Sequence, residues 1–255
     1  MFAAERQRVI LDHVRERGAV SIKDLAALVG SSEVTVRRDL KQLEAAGELR
    51  REHGGAVPAA EQPPREPTYA EKSRTASRQK SAIARLAAGF VQDGDAIVIG
   101  AGTTTMALAE QLRTRNELTV MTNSLLVAQA FADSPRIEVV LTGGMLRGSI
   151  FAVVGSAAER ALSGLHADRT FLSGNGLTAR NGLSTPNQMV AGVDRALAEA
   201  GNEVCVLADH TKIGRNSVIQ TVPTEQIDAL VTDALASGDE LDLFRTAGAR
   251  VHVAT

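Results

Sequence analysis

The side chains of this sequence best suited to chemistry fall into two groups. The first is a run of hydroxyl and cationic residues, Ser32, Thr35, Arg37, Arg38 and Lys41, followed by Arg50, Arg51 and His53. A guanidinium can pair with a guanine edge or a phosphate, and a hydroxyl can meet either, so this group suits a nucleic-acid duplex. The second is a series of glycine- and hydroxyl-rich segments: Gly102-Thr103-Thr104-Thr105, Asn123, Gly143-Gly144 with Arg147, Gly174, and Asp209 with Lys212. Glycine lets the backbone approach a ligand, and the free amides of a helix start suit a phosphate. Lys212 and Arg147 would add positive charge, and Asn123 and Asp209 would meet sugar hydroxyls.

Helices must carry the first group. Val36, Leu40 and Leu43 recur at helical period, which leaves Thr35, Arg37, Arg38 and Lys41 to share the rest of the same short helix. Just upstream, SIKDLAALVG offers Ser21 as an N-cap, Asp24 three residues on, an apolar face of Ile22, Leu25, Ala26, Leu28 and Val29, and Gly30 as the stop. Two short helices joined by a glycine-containing turn predict a helix-turn-helix, the first helix packing and the second entering the major groove. A basic amphipathic helix alone is usually just a solvated face. The segment after it decides between the two. Gly47 ends the helix, and residues 48–55 read as a short strand and a tight glycine turn. That is a wing, placing Arg50, Arg51 and His53 beside the phosphate backbone.

The second group needs a different frame. Residues 58–67 hold four of the seven prolines, which marks a linker. Residues 69–92 read as a helix, with Ile83, Leu86, Ala87 and Phe90 at helical spacing. From residue 95 apolar runs of strand length (AIVIG, LTVMT, IEVVLT, RTFLSG, EVCVLA, ALVTD and RVHVA) alternate with helical stretches. Alternation predicts a mostly parallel sheet covered on both faces. In open sheets of this kind ligands sit at the carboxyl ends of the strands, and every segment of the second group follows a strand. The expected fold is α/β: a small N-terminal winged helix-turn-helix domain over residues 1–57, a Pro-rich linker over 58–68, and a larger effector-sensing α/β domain over 69–255.

These segments carry a resemblance. SSEVTVRRDL, its spacing to LEAAGELRREHGGAV, and the preceding GAVSIKDLAALVG resemble the DeoR family of bacterial transcriptional regulators. That family pairs a winged helix-turn-helix with a larger sensor domain. In the sensor, a Gly-Thr-Thr-Thr loop, a Thr-Asn, a Gly-Gly and an Asp-x-x-Lys occur in the order found here, so the resemblance covers nearly the whole chain. The sensor fold is similar to ribose-5-phosphate isomerase, glucosamine-6-phosphate deaminase and CoA transferases. The resemblance implies a phosphorylated sugar or related metabolite as effector, its phosphate on the Gly102–Thr105 loop. It also implies repression by habit of the family. At Gly100 the chain departs from the many members with an acidic residue there, so no acidic contact from this loop to a sugar hydroxyl carries over.

Composition sets bounds. Net charge is −2, and residues 1–57 hold ten Lys and Arg against nine Asp and Glu, so DNA affinity must come from local placement and from more than one copy. A homo-oligomer, dimer or tetramer, is the expected form. The N-terminus reads as a charged amphipathic helix rather than a signal peptide, and no apolar run reaches the ~18 residues that span a bilayer, so a cytoplasmic location without membrane contact is expected. The lone Cys205, in VCVLA, excludes an internal disulfide or multi-cysteine metal site and reads as a core residue. No metal or cofactor is expected.

The competing class is a sugar-phosphate isomerase with an appended DNA-binding domain. Such an enzyme needs a positioned carboxylate base. Asp168 precedes its strand, at the wrong edge, Asp209 also reads as simple ligand binding, and a lone loop His210 reads as a surface residue. A scaffold using the winged helix for protein contacts would be an odd home for Arg37, Arg38, Lys41, Arg50 and Arg51. The expectation is a metabolite-responsive transcription factor that is not an enzyme, with double-stranded operator DNA and a phosphorylated sugar as its partners.

Overall fold

The computed structural model describes residues 3–46, 48–52, 54–58 and 66–255, in two units, Met1–Glu66 and Pro67–Thr255. Gly47 and His53, given roles above, lie outside the described residues.

In the first unit, α1 (Ala3–Arg17) buries Ile10 and Val14, four residues apart. After β1 (Val20–Ser21), α2 (Ile22–Val29) starts at the expected cap, where the Ser21 hydroxyl accepts from the Asp24 amide at 3.1 Å. Gly30 ends it in the left-handed region, φ 58°. The next helix, α3 (Glu33–Ala45), is capped by Ser32 and buries Val36, Leu40 and Leu43 as its spacing dictates. The hairpin of β2 (Leu49–Glu52) and β3 (Gly55–Pro58) is the wing. It is wider than expected, because β1 pairs with β3 to give the order β1-β3-β2. A Cβ on Gly55 would lie 2.3 Å from the Val20 carbonyl oxygen, so this close approach needs glycine. Pro58, expected to open the linker, closes β3 opposite Leu49.

The second unit starts with α4 (Tyr69–Arg74) and α5 (Ser77–Ala88), then β4 (Ala96–Ile99), α6 (Thr103–Leu112), β5 (Leu118–Thr122), α7 (Leu125–Ala130) and β6 (Ile137–Leu141). A hairpin of β7 (Met145–Arg147) and β8 (Ala152–Val154) leads to α8 (Ser156–Leu162), β9 (Arg169–Leu172), β10 (Gly176–Thr178), β11 (Gly182–Thr185) and α9 (Gln188–Glu199). The chain closes with β12 (Val204–Leu207), β13 (Ile219–Val222), β14 (Ala229–Asp233), α10 (Gly238–Thr246) and β15 (Arg250–Ala254). The seven expected strands form one sheet, order β15-β14-β12-β9-β4-β5-β6, every neighbour pair parallel.

Both faces are covered. Along β4, Ile97 and Ile99 join a core with α5, α6 and α7, while Val98 joins the opposite core with α8, α9 and α10. The two-residue period of a strand sends successive side chains to opposite faces, so a strand buried on both reads as one apolar run.

Three features differ from expectation. Met145–Arg147, expected within a loop, is β7 of the β7–β8 hairpin. The helix expected over 69–92 is two helices, broken where Thr75 is extended and Ala76 is left-handed, φ 51°. Leu86 and Phe90 are only half-buried, and the buried face of α5 is Lys80, Ile83, Ala84, Ala87 and Ala88. A small antiparallel sheet, β10-β11-β13, was also unforeseen. Its strands are short, and β11 is buried at every position, so no alternation announces it.

Candidate functional site

In the first unit the residues expected to face the groove divide into those that build the helix and those that make no ion pair with a described residue. The Ser32 hydroxyl accepts from the Thr35 amide at 3.3 Å and bonds the Thr35 hydroxyl at 2.9 Å, so this pair shapes the start of α3. Arg37 lies 3.5 Å from Glu33, an exposed pair of the kind that contributes little. Arg38 and Lys41 are exposed and make no ion pair with a described residue. On the wing, Arg50 and Arg51 are exposed, and the Arg51 amide donates to Glu44 at 3.1 Å, tying β2 to α3.

The seating of α3 depends on a residue the sequence reading passed over. Asp39 is 1% exposed and accepts from Arg6 at 2.6 and 3.2 Å and from Gln7 at 3.2 Å. The hydrogen bond with Asp39 holds the Arg6 guanidinium above its ordinary pKa. A carboxylate within the RRDL run thus fixes the reading helix onto α1.

In the second unit the all-parallel sheet gathers the loops after β4, β5, β6, β9 and β12 on one edge. A Cβ on Gly102 would fall 2.1 Å from the Ser173 hydroxyl, so the loops after β4 and β9 abut. No side chain caps α6, which leaves its first amides to an outside acceptor. Of its three threonines, Thr104 and Thr105 are buried, and the Thr105 hydroxyl donates to the Gly102 carbonyl at 3.1 Å; Thr103 is half-exposed. Asn123 is placed differently from a sugar-binding amide. It is 1% exposed, accepts from the Ala101 amide at 3.0 Å and donates to the Val153 carbonyl at 3.2 Å, so it holds the β4–α6 loop in position. Gly143 is exposed, Gly174 packs on Leu183, and Arg147 lies half-buried on β7 opposite Ala152. At Gly100 a Cβ would come within 2.7 Å of the Leu172 side chain, so the backbone here packs on an apolar neighbour.

Asp209 and Lys212 sit with cations that the sequence reading did not name. Lys80 is 4% exposed, and its ammonium donates to the carbonyls of Lys72 at 2.6 Å and Thr75 at 2.7 Å. The break between α4 and α5 exposes those carbonyls. The same ammonium lies 3.7 Å from Asp209 Oδ2, a buried oxygen with no hydrogen-bond partner, while Asp209 Oδ1 accepts from the Thr211 amide at 3.0 Å. Burial pulls the Lys80 pKa down, Asp209 pushes it up, and Lys212 and Lys72 lower it further. Burial likewise lowers Lys212, against the pull of Asp209, and its ammonium has no acceptor among the described residues. One carboxylate faces two ammonium groups, those of Lys80 and Lys212, an excess of positive charge that favours an anion.

His210 is not a plain surface residue. Its Nδ1 lies 3.0 and 3.2 Å from the carboxylate oxygens of buried Asp233, and its amide donates to the same group at 2.8 Å. Asp168 lies at the other edge, where it accepts from the Ala96 amide at 2.9 Å. Lys80 and Asp39 shared one legible signal. Each is a lone charge at a core position of a helical stripe, Lys80 with Ile83, Ala84 and Ala87, and Asp39 with Val36, Leu40 and Leu43. Buried charges of this kind are paired.

A winged helix-turn-helix followed by an α/β unit with its polar loops on one strand edge is the build of a two-domain transcriptional regulator. The comparisons with known proteins agree. The DeoR-like helix-turn-helix domain matches residues 6–62, and the DeoR C terminal sensor domain matches residues 75–234. The chain belongs to the DeoR family of transcriptional regulators. It is 33% identical to a putative aga operon transcriptional repressor of Escherichia coli O157:H7, over 97% of this chain and 93% of that protein. It is 36% identical to the HTH-type transcriptional regulator GlpR of Haloferax volcanii, over 98% of each. It is 32% identical to the HTH-type transcriptional repressor GlcR of Bacillus subtilis, over 99% of this chain and 97% of that protein. These relatives are named as regulators, not enzymes. Ribose 5-phosphate isomerase A of Methanocaldococcus jannaschii aligns over 55% of each chain at 17% identity with a TM-score of 0.42. Among the described residues no helix is long and apolar enough to cross a membrane.

Proposed function

We propose that this regulator is a cytoplasmic homo-oligomeric repressor of a carbohydrate catabolic operon, released from its operator by a phosphorylated sugar. Arg38 and Lys41, with Arg37 and the helix start at Ser32 and Thr35, read the major groove, and Arg50 and Arg51 of the wing, with His53, hold the backbone. Two copies read two half-sites. In the sensor domain the α6 amides with Gly102 and Thr103 take the phosphate, Lys212 neutralises it, and Asp209 accepts from a sugar hydroxyl. Gly143, Gly144, Arg147 and Gly174 complete the wall. Thr104, Thr105 and Asn123 position the loop.

The observation that carries the effector half is the carboxyl edge of the sheet. An uncapped helix start and the lysines around Asp209, whose Oδ2 has no hydrogen-bond partner, lie on that one edge. The Lys80 ammonium is beyond hydrogen-bond length from this oxygen, which keeps its capacity to accept, and a sugar hydroxyl is a donor of the right kind.

The test is a thermal-shift screen of the full chain against sugar phosphates and their unphosphorylated counterparts. A ligand at about 100 times its Kd stabilises the fold by about 2.7 kcal/mol. For a unit of this size that is roughly 5–11 °C. Shifts confined to phosphorylated sugars, with loss of operator binding in the same compound, are the expected result. Equal shifts from unphosphorylated sugars, or none from either class, would refute the effector assignment.

A further inference from the structure

One apolar side chain on α3 stands out into solvent among the described residues. Val34 is 77% exposed, whereas Leu28, the other exposed large apolar residue described in this unit, is 43% exposed. Val34 stands on α3 three, four and seven residues before Arg37, Arg38 and Lys41. Those spacings put all four on one helical face, away from buried Val36, Leu40 and Leu43. A β-branched residue is a poor helix former, so nothing local favours valine at a solvated position.

Its neighbours are engaged. Ser32 and Thr35 bond each other, and Glu33 pairs with Arg37. Val34 is therefore the unengaged side chain of the first helical turn, the part of a recognition helix that reaches base edges. An isopropyl group reads no donor or acceptor. In the major groove its match is the C5 methyl group of thymine, which cytosine lacks. The flanking cations would reach base edges on either side of an apolar contact.

We infer that Val34 packs on a thymine methyl group in each half-site and selects thymine there. This inference rests on the DNA-reading proposal above and adds a residue and a base to it. The test uses the full chain and V34A. In vitro selection from a randomised duplex library with the wild type supplies the probe. Each thymine of the selected duplex is then replaced singly by deoxyuridine, which removes only the methyl group, and Kd is read by fluorescence anisotropy.

At one thymine per half-site the wild type should weaken about fourfold, the burial worth of one methyl group. V34A should bind the methylated and demethylated duplexes alike. Its salt dependence should match the wild type, because no phosphate contact is lost. Since Val34 is exposed, V34A should fold, and V34I, which keeps the branched surface, should retain the preference for the methyl group. If wild type and V34A respond equally at every thymine, the assignment of Val34 is overturned while sequence-specific binding stands. If the wild type enriches no sequence at all, the DNA-reading proposal falls, and this inference with it.

Discussion

Replacing Lys80 by methionine is the sharpest test of how the sensor domain is held together. The side chain keeps its length and loses its charge. Three groups then lose a partner: the carbonyls of Lys72 and Thr75, 2.6 and 2.7 Å from the ammonium, and Asp209 Oδ2 at 3.7 Å. Removing one member of a buried ion pair destabilises by about 3–5 kcal/mol. The lower end, about 3 kcal/mol, applies here, because burial already lowers the Lys80 pKa and that strain is relieved when the charge goes. At 2–4 °C per kcal/mol for a unit of this size, Tm should fall by about 6–12 °C. D209N keeps its neutral bonds to Thr211 and should fall by about half as much. The decisive species is the double variant K80M/D209N. It no longer buries an unpaired carboxylate, so it should be more stable than K80M alone. The chain has no tryptophan, so the melts are best followed by circular dichroism. A K80M loss under about 1 kcal/mol, or a double variant at the sum of the singles, would refute the reasoning, since independent sites add.

In the DNA-binding unit, R38A should weaken operator binding by about 1–3 kcal/mol if Arg38 pairs with a guanine. Equal loss on operator and random DNA would reassign it to a phosphate. K212M should bind operator normally and release it only at much higher effector concentration, read by anisotropy titration. The pH dependence has a definite sign. An anion favours the ammonium form, so effector affinity should be full below the lowered pKa of Lys212 and decline above it, at a pH under the ordinary lysine value of 10.5. Affinity that holds flat through 10.5 would exclude Lys212 from the site. Burial pushes the Cys205 thiol up to about 12, so a thiol reagent at pH 8 should label it only on unfolding; prompt labelling of the native protein would contradict its place in the core.

The sequence determined the helix caps and the main sheet. Ser21, Gly30 and Ser32 act within a few residues of themselves, so the start and stop of the reading helices follow from local chemistry. The seven parallel strands were legible because burial on both faces makes each one a continuous apolar run. The glycine and hydroxyl segments were legible as an edge because a parallel sheet puts every strand end on one side. Tertiary structure decided which polar groups face a ligand and which face the protein. Asn123 read as a sugar contact, and its two backbone partners are 22 and 30 residues away. Lys80 sits on an apolar stripe, and its reason to be there, Asp209, lies far along the chain in the loop after β12. Asp39 and Arg6 are separated by 33 residues. Capping and periodicity are local energies, and the sequence carries them. The pairing of a buried charge depends on which distant segment the fold brings within about 4 Å, and only the folded chain determines that.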